Sequence, residues 1–310
     1  MNIDILRLIA FSFIVMIHTL IYQHNFIEYN TIFSIVGTGV NLFIIISGYL
    51  ILDKETNDIK SFYKKRFIVI LIPFIFWNIV YMIIYKASIF QILTIVAGYR
   101  FAFSHFWYVY MLIGLYLLTP WLQKVLKYAE KETFFIVVLW FIANVLKTFL
   151  VRYKLPFLNL SNFPITGLLG YYLLGYYIKK YYKIIKYKYV IFGMLFGFII
   201  TFLISYHSFY FLDKRDPTAY DKNTLGIFIL SISISIFIVK LLDKYRRNNQ
   251  ISILSKATYN AYFVHILVMY EIAKFSSNFY FITVLCIFIS LILGIIFDIL
   301  FQKLIFKHIL

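Results

Sequence analysis

Two ionisable side chains, Arg7 and His18, fall within the first long apolar stretch of the chain, eleven residues apart. At 3.6 residues per turn this is almost three turns of α-helix, so both side chains project from one face, separated by roughly 16 Å along the axis. An ionisable group inside a membrane span costs at least about 2.5–3.5 kcal/mol on insertion scales, so each needs a reason. An imidazole can act as a general base or a transient nucleophile, and a guanidinium is built to hold an anion. The two cannot touch, but they can line one channel. Structural roles compete with this. Arg7 can snorkel to the headgroups with Asp4 one turn earlier, and His18 can be a hydrogen-bonded core histidine.

Further polar groups interrupt the later apolar stretches. In the second, small residues at Gly37, Gly39, Ser47 and Gly48 permit close helix approach, and Asn41 near mid-membrane needs a partner. The Ser47–Gly48 pair could also open or kink the helix beside a ligand. Lys64, Lys65 and Arg66 open the third stretch. They can orient the chain or hold phosphates, and the residues alone favour orientation. His105, Trp107 and Tyr108 open the fourth, where an aromatic belt explains the Trp and Tyr but not the His. His265 and Asp298 are deep in the ninth and tenth, whereas Lys147 and Glu271 can snorkel from outer ends. There is no phosphate-binding loop, HExxH, GxSxG or Asp-rich phosphate motif. A single cysteine, Cys286, excludes a disulfide framework and a cysteine-based metal site, and no metal is expected.

These residues must be positioned by membrane helices. The 310 residues are 63% hydrophobic and 14% charged, with a mean hydropathy of +0.85. A soluble domain averages about 45–50% apolar and roughly 25% charged residues, so lipid must be the solvent for most of this surface. The spacing predicts an all-α polytopic bundle of about ten transmembrane helices, at 3–22, 31–52, 67–85, 105–122, 133–151, 162–178, 188–206, 224–242, 257–274 and 279–301. The apolar stretch 88–98 is too short to cross and reads as interfacial or re-entrant. Lys and Arg number 20 in the segments 53–66, 123–132, 179–188, 240–257 and 302–310, against 8 in the alternate set. By the positive-inside rule the first set is cytoplasmic, which places both termini inside. The same distribution explains the net charge of +17 without nucleic acid. No linker or soluble-domain-sized loop divides the chain, so residues 1–310 are expected to form one membrane domain.

Arg7 followed by ten residues and His18 resembles the signature of the acyltransferase-3 family of membrane acyltransferases. GTGVNLFIIISGYL, SFYKKRFIVILIP, HFWYVYMLIGLYLLTPWL and TYNAYFVHILV resemble the family's second, third, fourth and ninth helices, in the same order over nearly the whole chain. Many members carry Asp where this chain has Asn41, so no proton-transfer role is given to Asn41. The resemblance implies transfer of an acyl group, usually acetyl, from cytoplasmic acetyl-CoA or another short acyl-CoA. The acceptor would be a hydroxyl of an envelope glycan or lipid-linked sugar across a bacterial plasma membrane. It implies a catalytic His18, with Arg7, Lys64, Lys65 and Arg66 at the CoA end and Ser47 and Gly48 bordering the channel. Asn41, His105, Trp107, Tyr262 and His265 are weaker channel or acceptor candidates. An exporter or flippase-like transporter of a surface polysaccharide or lipid-linked glycan is the second reading; a pair of broken helices or an inverted repeat would favour it.

Overall fold

The computed structural model describes residues 2–86, 88, 104–152, 167–211, 220–246 and 248–303. Among these there is no strand, and eleven α-helices make ten successive rods: α1 Asn2–Thr19, α2 Phe26–Val36 with α3 Gly39–Ile51, α4 Ile59–Ile84, α5 Trp107–Tyr128, α6 Glu130–Arg152, α7 Leu169–Tyr181, α8 Tyr187–Phe211, α9 Leu225–Leu241, α10 Asn249–Ala273 and α11 Phe279–Phe301. Seven of the rods are long and apolar enough to cross a membrane on composition alone. This is a polytopic membrane helix bundle. Beyond Ser88, the stretch expected to be interfacial lies outside the described residues.

Two spans differ from the sequence expectation in an informative way. The second is not continuous but breaks at Gly37–Thr38, between α2 and α3. The Ser47–Gly48 pair, by contrast, sits in unbroken helix, its Ser47 hydroxyl bonding back to the Phe43 carbonyl at 3.0 Å. Asn25 starts α2 by accepting from the amides of Ile27 and Glu28, which places its start before the expected residue 31. The ninth rod, α10, starts at Asn248, whose side chain accepts from Gln250 and Ile251, rather than near residue 257. Its first turns are too polar to read as a span because they face protein: Ser252, Ser255, Thr258 and Asn260 are all buried. α10 packs on α1, α4 and α11, which makes it a central post of the bundle.

α3 and α7 cross in close contact. A Cβ on Gly48 would lie 1.8 Å from the Tyr172 carbonyl oxygen, and one on Gly175 would lie 2.2 Å from that of Ile45. Lipid tails give helices no hydrophobic reason to associate, so such small-residue contacts carry the packing. Gly48 is therefore committed to α7. The basic loops gather at one end of the bundle, where Lys127 pairs with Glu55 at 3.0 Å, Lys179 with Asp53 at 2.9 Å, and Lys180 with Glu130.

Candidate active site

Three histidines that lie 87 and 160 positions apart in the chain converge inside the bundle. His18 comes from the outer part of α1, His105 from the 3-10 turn Ser104–Phe106 that leads into α5, and His265 from the middle of α10. The ring centroids of His18 and His265 are 5.1 Å apart, those of His105 and His265 5.2 Å, and those of His18 and His105 6.3 Å. His105 and His265 are buried, and His18 is part-buried.

The supporting contacts fix how two of the rings are held. His265 Nδ1 lies 2.6 Å from the Tyr262 carbonyl oxygen. A carbonyl only accepts, so Nδ1 carries the proton and Nε2 presents a lone pair. That Nε2 is buried and makes no hydrogen bond among the described residues. The Tyr262 hydroxyl donates to the His105 backbone carbonyl, and the Cys286 thiol donates to that of His265 at 3.2 Å. Tyr81 donates to the Phe263 carbonyl at 2.8 Å and stacks edge-on to His105 at 5.9 Å. Thr19 and Thr283 share a 2.7 Å hydrogen bond that ties α1 to α11 one residue beyond His18. Among the described residues, His18 itself makes no hydrogen bond, so its ring is positioned by packing against His105 and His265.

On the basic side of this cluster lies a cavity of about 420 Å³. Its cations are Arg7, Arg66 and Lys256; its other polar groups include Ser47, Ser255 and Asp298, and its aromatic wall is Tyr108, Tyr116, Tyr259 and Tyr262. Arg7 donates to the Ser255 hydroxyl at 3.1 Å, which turns it toward α10 and the cavity. Arg7 and Arg66 are part-buried, which strengthens any contact they make with an anion, whereas Lys256 is exposed.

The sequence candidates divide accordingly. Arg7, Ser47, Arg66 and Tyr262 line the cavity, and His18, His105 and His265 form the cluster. Lys64 and Lys65 are exposed and are not among the lining residues. Gly48 faces Tyr172 of α7. Asn41 is fully buried and donates to the Lys222 carbonyl at 3.0 Å and to Ser231 at 3.1 Å. Trp107 receives the Lys222 ammonium over its ring at 4.8 Å. Lys256, Ser255, Tyr116 and Tyr259 were not picked out from the sequence. The three-residue spacing of Tyr259, Tyr262 and His265, which puts them along one helical stripe, was the signal available for α10. Among the described residues, no group of three or more His, Cys, Asp or Glu could hold a metal ion.

A membrane helix bundle that brings three histidines together, two buried and one part-buried, beyond a cation-lined cavity is a polytopic membrane protein with a candidate internal site. The family model described as an acyltransferase domain, that of the acyltransferase-3 family, matches residues 2–301, and the chain belongs to that family. It is a multi-pass membrane acyltransferase. Comparisons with curated proteins and with solved structures gave no match.

Proposed function

We propose that this acyltransferase takes a short acyl group, acetyl in the first instance, from acyl-CoA on the cytoplasmic side of a bacterial plasma membrane. It passes the group to a hydroxyl of an envelope glycan or lipid-linked sugar on the other side. One observation carries the reading: the cavity bearing Arg7, Arg66 and Lys256 ends one helical turn short of His105 and His265. An elongated donor with anionic phosphates fits cations at one end and a reactive end directed at the imidazoles.

His18 is the group assigned to the reaction. Its imidazole takes the proton of the acceptor hydroxyl as the oxygen attacks the thioester carbonyl. The C–O bond forms, the C–S bond breaks, and the imidazolium returns its proton to the departing thiolate. The products are the ester and free CoA, with no net proton change. His265, pinned by the Tyr262 carbonyl, holds the cluster's geometry.

The test is transfer of labelled acetyl from acetyl-CoA to a crude envelope-glycan acceptor in proteoliposomes. Label on the glycan with wild type, and at least about a hundredfold loss in a folded His18→Ala protein, is expected for loss of a general base. Equal label from both proteins removes His18 from the chemistry, and no label across several acceptors and acyl-CoAs removes the donor reading.

A further inference from the structure

The cavity wall ends at the same level on two helices. On α5 it runs from Tyr116 to Tyr108 and stops one turn before His105; on α10 it runs from Ser255 to Tyr262 and stops one turn before His265. The two outermost wall residues meet, with the Tyr108 and Tyr262 rings 5.6 Å apart. The Tyr262 ring also lies 5.2 Å from that of His105 and 5.8 Å from that of His265. One ring thus has the cavity on one side and two imidazoles on the other. Its hydroxyl is tied to the His105 backbone carbonyl, not to solvent, so the ring is fixed at the end of the cavity.

We infer that Tyr262 is a specificity-determining residue, the stop that limits the donor's acyl chain to a short one; this rests on the acyl-CoA reading above. A thioester that reaches the end of the cavity has its acyl group against the Tyr262 ring. An acetyl methyl needs little room between that ring and its neighbours Tyr108 and His105. Each further methylene must occupy space the ring already fills, and close-packed interiors do not supply such space freely. In hydrophobic pockets one methylene more or less changes discrimination roughly 10–200-fold. Tyr262→Ala removes the stop. Tyr262→Phe keeps the ring and removes only the hydroxyl that anchors it.

The measurement is the ratio of kcat/KM for acetyl-CoA to that for hexanoyl-CoA, taken on each protein in proteoliposomes. A ratio on one preparation cancels the folded fraction, so partial misfolding of a variant does not disturb it. The expected result is a ratio at least tenfold lower in Tyr262→Ala than in wild type, with Tyr262→Leu intermediate and Tyr262→Phe close to wild type. A wild-type ratio in both Tyr262→Ala and Tyr262→Leu overturns the inference while the donor reading stands. A wild-type protein that transfers neither group overturns the donor reading and this inference with it.

Discussion

Gly48 and Gly175 provide a test of the fold that does not depend on the chemistry. Replacing Gly48 by Ala sets a methyl 1.8 Å from the carbonyl oxygen of Tyr172, and real Cβ contacts essentially never fall below 3.0 Å. α3 and α7 must then separate by about 1.2 Å at the crossing, because the obstruction is helix backbone and no rotamer change relieves it. Overpacking costs about 1–3 kcal/mol even where side chains can adjust, so the upper end applies here. At about 2–4 °C per kcal/mol, Gly48→Ala should lower Tm by roughly 5 °C or more. Gly114 on α5 is the control: a Cβ there meets nothing within 4 Å. A glycine inside a helix is about 0.5–1 kcal/mol less favourable than alanine, so Gly114→Ala should melt at or slightly above the wild-type temperature. The assay is a thermal ramp of detergent-solubilised protein with a thiol-reactive dye, because Cys286 is the single cysteine and is fully buried. If Gly48→Ala melts together with wild type and Gly114→Ala, the close crossing of α3 and α7 is wrong.

Other outcomes can be measured alongside. Arg66→Ala should raise KM for the acyl-CoA donor about tenfold or more, since a charge-assisted hydrogen bond contributes about 1.5–3 kcal/mol, while Lys65→Ala, exposed and off the cavity wall, should stay within about twofold. Equal KM values for the two variants would remove Arg66 from the donor site. The Lys127–Glu55 pair is solvent-exposed, so Lys127→Ala should change stability by less than about 1 kcal/mol, read as an almost unshifted Tm. Cys286 should resist maleimide in the native protein and label stoichiometrically once unfolded; fast labelling in the folded state would contradict its burial.

The sequence made the bundle legible because apolar run length is a local property, and each of the ten expected spans begins or ends within three residues of an observed helix end for that reason. The break at Gly37–Thr38 was not legible: its neighbours Phe33, Val36, Val40 and Leu42 are as apolar as continuous helix, and only packing against Ile14 of α1 and Ile227 of α9 distinguishes it. The start of α4 at Ile59 was hidden by the basic run, since helix and membrane span need not end together. Within the site, Arg7 and His18 could be paired from one helix by period alone. His105 and His265 were isolated polar residues in separate stretches, with no local spacing to pair them. Their meeting with His18 depends on how α1, α5 and α10 cross, which no local pattern encodes. Lys256 looked like one more cytoplasmic cation, and Arg66 was indistinguishable from Lys64 and Lys65 until α4 was seen to turn it alone toward the cavity.

The broken second span bears on the transporter alternative. Transporters with discontinuous helices use paired breaks, which free helix ends and unwound backbone to line a substrate site. Here the break is packed shut. A Cβ on Gly39 would stand 3.1 Å from Ile14 and 3.2 Å from the Ala10 carbonyl oxygen, and one on Gly37 3.0 Å from Ile227. Asn41, in the first turn after the break, spends both amide protons on the Lys222 carbonyl and Ser231 of the neighbouring α9 region. Neither the break nor Asn41 lines the 420 Å³ cavity, to which α3 contributes only Phe43 and Ser47, one and two turns further along. The interruption therefore lets α2 leave the axis of α3 and seat against α1, α8 and α9. It presents no freed backbone to the cavity, whose polar lining is side chains, among them the cations Arg7, Arg66 and Lys256, Asp298, and the hydroxyls of Ser47, Ser255 and the tyrosines.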